Sequence, residues 1–293
     1  MSAEEVVRGA KLYRRNTYPA IDPAQPELST KGKSAVVTGA GQGVGASIAR
    51  SLARSGISFL ALVGRRLGPL NSVAEEIGKL GPDTKVFTYV VDIVDEDAVK
   101  TGFARFAADI GGRAIDILIA NAGYMADLGM IADVDPKDWW SGFEINIKGN
   151  FHLMRAYVRH SPTDGSGAVI HVATSSIHGP YMPNFSSYRV SKAGATKLFD
   201  IFAHEHPELF VLQVHPGLIG GTTMHSKFAH TTEGFDFDDE RLGSDFIIWS
   251  LSPQAKFLNG RFVWANWDVD ELLAKKKEIV QDPSMYTIGL LGW

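Results

Sequence analysis

Apolar residues gather in short runs bounded by glycine, proline or polar clusters, and between the runs they recur every three or four positions. The first pattern predicts strands and the second helices. Seven runs qualify as strands: Ala35 to Val37, Ile57 to Val63, Lys85 to Val91, Ile115 to Ala120, Val169 to Ala173, Leu209 to Val214 and Arg261 to Trp264. Ile48, Ala49, Leu52 and Ala53 mark the first intervening helix, and Ser72 to Leu80 a second. Asp95, Glu96 and Asp97 are the capped, acidic start of a helix running to about Asp109. Asp135, with Pro136 in the first turn, opens another that continues through Trp139, Trp140, Phe143, Ile147 and Phe151 to about Tyr157. Further helices are expected from near Tyr188 and over Asp268 to Ile279. Strands alternating with helices, without internal repeat, predict an α/β protein: a doubly wound parallel sheet of about seven strands covered by helices on both faces. Ligands of such sheets bind at the carboxyl ends of the strands.

The chain of 293 residues shows no composition shift or long linker that would divide it. Residues 1–30 are polar, carry Pro19, Pro23 and Pro26, and are expected to be an extension that packs on the domain or stays mobile; residues 31–293 form the single domain. Hydrophobic residues make up 45% and charged ones 21%, enough to bury a sizeable core. A net charge of −4 without a large basic cluster gives no attraction for nucleic acid or anionic membrane. The absence of cysteine excludes disulfides, thiolate catalysis and thiolate-bound metal, and no metal site is expected. With no apolar leader and no long apolar run, a soluble, cytoplasmic protein is expected. The apolar tail Ile288, Leu290, Leu291 and Trp293 is expected to cover the active site or a neighbouring subunit.

The candidate chemistry falls at the predicted strand ends. After the first strand comes Thr38-Gly39-x-x-Gln42-Gly43-Val44-Gly45, a variant of the dinucleotide fingerprint. Its glycines allow a sharp turn and close approach of a phosphate, which the following helix N-terminus stabilises. The second strand ends in Gly64-Arg65-Arg66, where an acidic residue would select a ribose 2′-hydroxyl and arginine instead suits a 2′-phosphate, so NADP(H) is expected over NAD. The bland alternative is that both arginines merely solvate a strand end. Asp92 and Ile93 follow the third strand, and Asn121-Ala122-Gly123 the fourth, where a simple polar turn is an equal reading. Asn146 sits unfavourably inside a helix, which raises suspicion of a side-chain contact. Tyr188 and Lys192 lie four residues apart and share one helical face, so a lysine cation can lower the phenol's pKa and fit it for proton transfer. Against that stands the plain reading of a core tyrosine and a solvated lysine. Ser175, thirteen residues before Tyr188, can hold a substrate oxygen. The irregular stretch near 218–241 is a natural substrate lid. Met125, Leu128, His178, Tyr181, Met182 and Phe185 join it as pocket candidates of mostly apolar character, His178 being more simply a residue satisfied by its surroundings.

Taken jointly, TGAGQGVG at 38–45, Asp92, NAG at 121–123, Asn146, Ser175, YRVSK at 188–192 and PG at 216–217 resemble the short-chain dehydrogenase/reductase family over residues 33–266. The segment GRFVWANWDVDEL is similar to fungal secondary-metabolism members. The resemblance implies a Rossmann fold and an NADP(H)-dependent ketone reductase or alcohol dehydrogenase for an apolar or aromatic small molecule. It implies Tyr188 as acid/base, Lys192 lowering its pKa and holding the nicotinamide ribose, Ser175 orienting the carbonyl, and Asn146 maintaining a water-linked proton path. Gly39, Gly43 and Gly45 would meet the pyrophosphate region, Asp92 the adenine, Asn121 the adenosine side and Ile219 the nicotinamide, with Pro216, Gly217 and Thr222 alongside. It also implies a homodimer or homotetramer. Two departures stand out: Thr174, Ser175 and Ser176 are consecutive hydroxyls, any of which can hold the substrate oxygen, and Gly221 displaces an expected threonine to Thr222. A non-redox lyase or isomerase using Tyr188 and Lys192 for proton transfer is the alternative.

Overall fold

The computed structural model describes residues 11–232 and 234–289. In chain order its elements are β1 (Ser34–Thr38), α1 (Gly43–Arg54), β2 (Phe59–Gly64), α2 (Leu67–Leu80), β3 (Lys85–Val90), α3 (Glu96–Asp109) and β4 (Ile117–Ala120). There follow α4 (Pro136–Phe143), a π-helical turn (Glu144–Gly149), α5 (Asn150–Val158), β5 (Ala168–Val172), α6 (Ser186–Glu205) and β6 (Phe210–His215). The chain closes with α7 (Glu240–Ser250), β7 (Phe262–Trp264), α8 (Val269–Ala274) and α9 (Lys276–Gln281). One sheet of seven parallel strands runs in the order β3-β2-β1-β4-β5-β6-β7, with Val37 opposite both Leu62 and Ile119 and Ile170 opposite Leu212. This is the expected doubly wound Rossmann arrangement, and its order reverses between β1 and β4, which opens a crevice at their carboxyl ends.

Alternate strand residues point to opposite faces, so the core divides in two. Ala35, Val37, Leu60, Leu62, Ile117 and Ile119 pack under α1, α2 and α7, where Trp249 is fully buried. Val36, Ala61, Val63, Leu118 and Ala120 pack under α3, α5 and α6 around Phe106, Tyr157 and Phe199. Parallel strands buried on both faces leave no polar alternation, and for that reason the sequence shows continuous apolar runs.

Several boundaries differ from expectation. α2 begins at Leu67 rather than Ser72, because Pro69 lies in its first turn, where a missing N–H costs nothing. The helix expected over 136–157 is interrupted by the π-helical turn, and Asp268 to Ile279 divides into α8 and α9 at Lys275. α7 escapes the helical pattern because Leu242 to Ser250 are all buried, so no polar stripe marks its period. Residues 11–30 pack on the body: Ile21 is fully buried, Tyr13 makes an antiparallel bridge with Trp267, and Arg14 pairs with Asp268 at 2.7 Å. Of the apolar tail, Ile288 is 43% exposed and Leu290, Leu291 and Trp293 lie outside the described residues.

Candidate active site

The crevice is a cavity of about 570 Å³ that extends from the glycine loop to the segment preceding α6. Gly39, Gln42, Gly43, Val44 and Gly45 line one end. The packing leaves Gly39 and Gly45 no room for a side chain, since a Cβ at Gly45 would lie 2.4 Å from the Gly39 carbonyl and 2.5 Å from Asn121 Nδ2. Gly43 has φ +52° and faces the Thr222 methyl across the crevice. Gln42 precedes α1 without capping it, so the first N–H groups of the helix receive no side-chain acceptor from that residue. Its Oε1 instead accepts a hydrogen bond from Arg66 at 2.9 Å. Arg65 is exposed at the end of β2, while Asp92 holds the backbone turn at Val94 through its Oδ1. Both lie on the cavity wall with Arg66, Ile93, Ala122 and Gly123.

Thr38 and Asn121 act on the frame. Thr38 is fully buried, is absent from the wall, and accepts the Asn121 and Ala122 N–H groups at 3.0 Å each. Asn121 donates Nδ2 to the Thr38 carbonyl at 2.8 Å, so the carboxyl ends of β1 and β4 are tied together beneath the glycine loop. Asn146 is likewise fully buried and off the wall. Its Oδ1 accepts Tyr124 N–H, its Nδ2 donates to Tyr124 O and to Ser191 Oγ at 2.9 Å, and its carbonyl accepts Asn150 Nδ2. It therefore fastens the π-helical turn to the loop after β4 and to α6 and makes no direct contact with Lys192. A π-helical turn at such a position is a common device for placing one side chain.

At the other end α6 presents Tyr188 and Lys192 to the cavity. Close helix packing fixes this placement: a Cβ at Gly142 would lie 2.5 Å from Ser187 Oγ, and one at Gly194 2.7 Å from Ile147. Burial pushes the Lys192 ammonium down to about 7, and Nζ donates to Val172 O at 2.7 Å and lies 3.3 Å from His171 Nε2. Burial also raises the Tyr188 pKa, opposed by the Thr174 hydroxyl. The phenol's shift comes from desolvation and Thr174, and the Lys192 ammonium is turned towards the β5 backbone. Thr174, Ser175 and Ser176 all line the cavity, and the Thr174 hydroxyl donates to Ser176 Oγ at 3.2 Å and accepts the Ser176 N–H.

The roof comes from Pro216, Gly217 and the described residues of 218–241. Leu218, Ile219, Thr222 and Phe228 line it, and Thr222 Oγ1 caps the single helical turn Thr223–Ser226. Asp238 staples the base, accepting Leu218 N–H at 2.8 Å and Asn266 Nδ2 at 3.0 Å, while Arg15 pairs with it at 3.3 Å. Lys227 reaches Asp127 at 2.8 Å on the opposite side. Met125, Met182 and Phe185 lie on the wall, whereas Leu128, His178 and Tyr181 do not. His178 instead accepts the Trp264 indole N–H at 3.2 Å. Sequence reasoning passed over Tyr13, His215 and Trp264, which also line the cavity. His215 and Trp264 end β6 and β7, so the rule that ligands meet the carboxyl ends of strands was the signal for them, whereas Tyr13 carries none, because long-range packing of the N-terminal segment brings it there.

A family model described as short chain dehydrogenase matches residues 33–233. The chain belongs to the short-chain dehydrogenase/reductase family. It is 31% identical over 98% of both chains to the short chain dehydrogenase/reductase AacuD of Aspergillus aculeatus. It is 32% identical to a short chain dehydrogenase/reductase of Claviceps purpurea, covering 98% of this chain and 96% of that one. Both organisms are fungi. Among solved structures, a short chain dehydrogenase from Burkholderia cenocepacia in complex with NADP superposes with a TM-score of 0.71 at 24% identity, over 80% of this chain and 96% of that one. A 3-ketoacyl-(acyl-carrier-protein) reductase from Brucella melitensis complexed with NADH gives 0.72 at 23%, over 80% and 97%. These two likenesses establish the fold. Membership makes the chain an oxidoreductase of a family that binds a nicotinamide cofactor. Among the described residues no helix is long and apolar enough to cross a membrane.

Proposed function

We propose that the protein is an NADP(H)-dependent reductase of a ketone on an apolar small molecule, or the reverse alcohol dehydrogenase, with Tyr188 as acid/base. The observation that carries this reading is the single cavity in which a desolvated phenol and lysine share a wall with a glycine-lined cradle at a helix N-terminus. That cradle fits the cofactor: side chains are excluded at Gly39 and Gly45, and the start of α1 offers backbone N–H groups to a pyrophosphate. Arg65, Arg66 and Asp92 would hold the adenosine end, and Ile219, Thr222 and Lys192 the nicotinamide end. The cofactor, when bound, supplies the hydride.

The remaining chemistry belongs to the chain. Burial keeps the Tyr188 phenol protonated at neutral pH, the state required of a proton donor to a carbonyl oxygen that is gaining charge. Ser175, thirteen residues before Tyr188 and on the cavity wall, holds that oxygen through its hydroxyl, with Ser176 and Thr174, whose own hydroxyl donates to Ser176, adjacent. Met125, Met182, Phe185 and Phe228 exclude water and favour an apolar or aromatic substrate. The two solved relatives carry NADP in one case and NADH in the other, so the preference for NADP(H) rests on Arg65 and Arg66. Arg65→Asp should weaken NADPH binding and narrow or reverse the preference over NADH, through a lost charge-assisted contact and added repulsion. Unchanged affinities for both cofactors in a fluorescence titration would remove the argument. We further propose a cytosolic location and a homodimer or homotetramer, the assembly being supported by the apolar surface that Phe151, Val190 and Ile201 leave exposed on α5 and α6; sedimentation at micromolar concentration tests the assembly. The function itself is tested by NADPH oxidation across a panel of hydrophobic ketones with identification of the alcohol. Inertness of a folded, NADPH-bound protein towards all of them would count against it, and product formed with no change in cofactor redox state would mark a lyase or isomerase.

A further inference from the structure

Beside Lys192, behind the cavity wall, lies a polar chain that the reaction as described does not use. His171 on β5 is fully buried and its ring stacks on Phe199, with centroids 4.2 Å apart. Its Nδ1 is 3.0 Å from Gln213 Oε1, and its Nε2 is 3.3 Å from Lys192 Nζ. The direction of each bond follows from the far end. Gln213 Nε2 donates to the Thr196 carbonyl at 3.1 Å, which turns Oε1, an acceptor, towards the imidazole. His171 Nδ1 must then carry the proton, and Nε2 presents a lone pair to Lys192.

We propose that His171, oriented by Gln213, is a positioning residue that accepts a hydrogen bond from Lys192 and keeps its amine charged and aimed at the cavity. An ammonium has three N–H donors. Val172 O and His171 Nε2 take two of them, so the third is left for the cavity that Lys192 lines. Without the imidazole acceptor, a lysine in so dry a place has only one carbonyl partner and releases its proton more readily. Among the described residues no carboxylate acts on either group; the charge felt by His171 is that of Lys192 itself, and burial with that charge keeps the imidazole neutral. Tyr188 and Arg189 are the other titratable groups on the same stretch of α6, Arg189 donating to the Gly179 and Pro180 carbonyls; Ser191 is engaged with Asn146, and His215 on β6 feels His178 rather than this pair.

This inference rests on the proposed role of Lys192, but its test does not require turnover. The protein is labelled with 13C at lysine Cε, the Lys192 signal is assigned by its loss in Lys192→Met, and its titration is followed by NMR. The expected midpoint is about 7 in the unaltered protein. His171→Phe, which keeps the ring stacking, should lower the midpoint by about one pH unit, a tenfold change in proton affinity. His171→Gln, whose amide oxygen reaches where Nε2 lay, should restore most of it. Gln213→Leu, which frees the imidazole to adopt the other tautomer, should lower the midpoint by less than His171→Phe and serves if the latter does not fold. An unmoved midpoint in both His171→Phe and Gln213→Leu, or a His171→Gln midpoint as low as that of His171→Phe, would overturn the proposal while leaving the role of Tyr188 untouched.

Discussion

The two ends of the cavity are held by different physics. At the glycine end the wall is backbone: β1 and β4 are neighbouring strands, Thr38 and Asn121 tie their ends, and Gly39 and Gly45 fit against each other without space for a methyl group. At the substrate end the wall consists of side chains drawn from distant parts of the chain. Asp238 gathers Leu218, Asn266 and Arg15, Trp264 reaches His178, and Tyr13 arrives from the N-terminal segment. A backbone frame tolerates almost no change and suits a ligand shared by a whole family. A frame of side-chain ties can be rebuilt one residue at a time, which suits a substrate that differs between members. Tyr188 and Lys192 stand on α6, which Gly142 and Gly194 lock to the body.

The contrast can be broken at either end, and the largest effect is expected at the reacting hydroxyls. Ser175→Ala should reduce turnover roughly 10²-fold, the usual loss when one donor to a developing oxyanion is removed. Thr174→Ala should cost less than about tenfold, as its hydroxyl is engaged with Ser176. The reverse order in steady-state kinetics would move the role to Thr174. At the glycine end, Gly45→Ala should destabilise the fold by about 1–3 kcal/mol through overpacking against Gly39 and Asn121. A chemical denaturation curve with unchanged midpoint would show that the frame is softer than described.

The smallest effect is expected at the substrate end. Burial raises the Asp238 carboxyl above its ordinary value. Its folded pKa thus exceeds its unfolded one, so the stability it contributes is complete below about pH 4 and declines as pH rises through the folded value. Asp238→Asn keeps an acceptor for Leu218 N–H, so it should flatten that slope while changing stability at neutral pH by less than about 1 kcal/mol. It should raise KM more than it lowers kcat, because it also loosens the tie to Arg15. An unaltered pH–stability slope in thermal melts would remove Asp238 as the staple.

How much was legible follows the same division. The strands, the glycine loop, Arg65 and the Tyr188–Lys192 pair are local patterns, and periodicity or spacing reveals them before any contact is known. Asn146 is marked by its unfavourable place in a helix and Thr38 only by the glycine fingerprint, but their partners, Tyr124 with Ser191 and Asn121, are tertiary. His171 lies in an apolar run that reads only as strand, and its pairing with Gln213 needs the register of β5 against β6. The Tyr188 shift has no local signature for a related reason: spacing puts a lysine near a tyrosine, but it does not reveal where the ammonium points or how dry the site is. α7 and the lid anchors were hidden because neither burial on all sides nor a contact across some twenty residues has a local signature.

The most direct test of the central claim is turnover by Tyr188→Phe at saturating NADPH with a ketone that the unaltered enzyme reduces. The substitution keeps the ring and deletes the transferable proton, so turnover should fall roughly 10²–10⁴-fold while the melting temperature and NADPH affinity stay close to those of the unaltered protein. Near-normal turnover would mean that the proton reaches the carbonyl oxygen from another group, and the account of this cavity as one built around a half-buried phenol would be wrong.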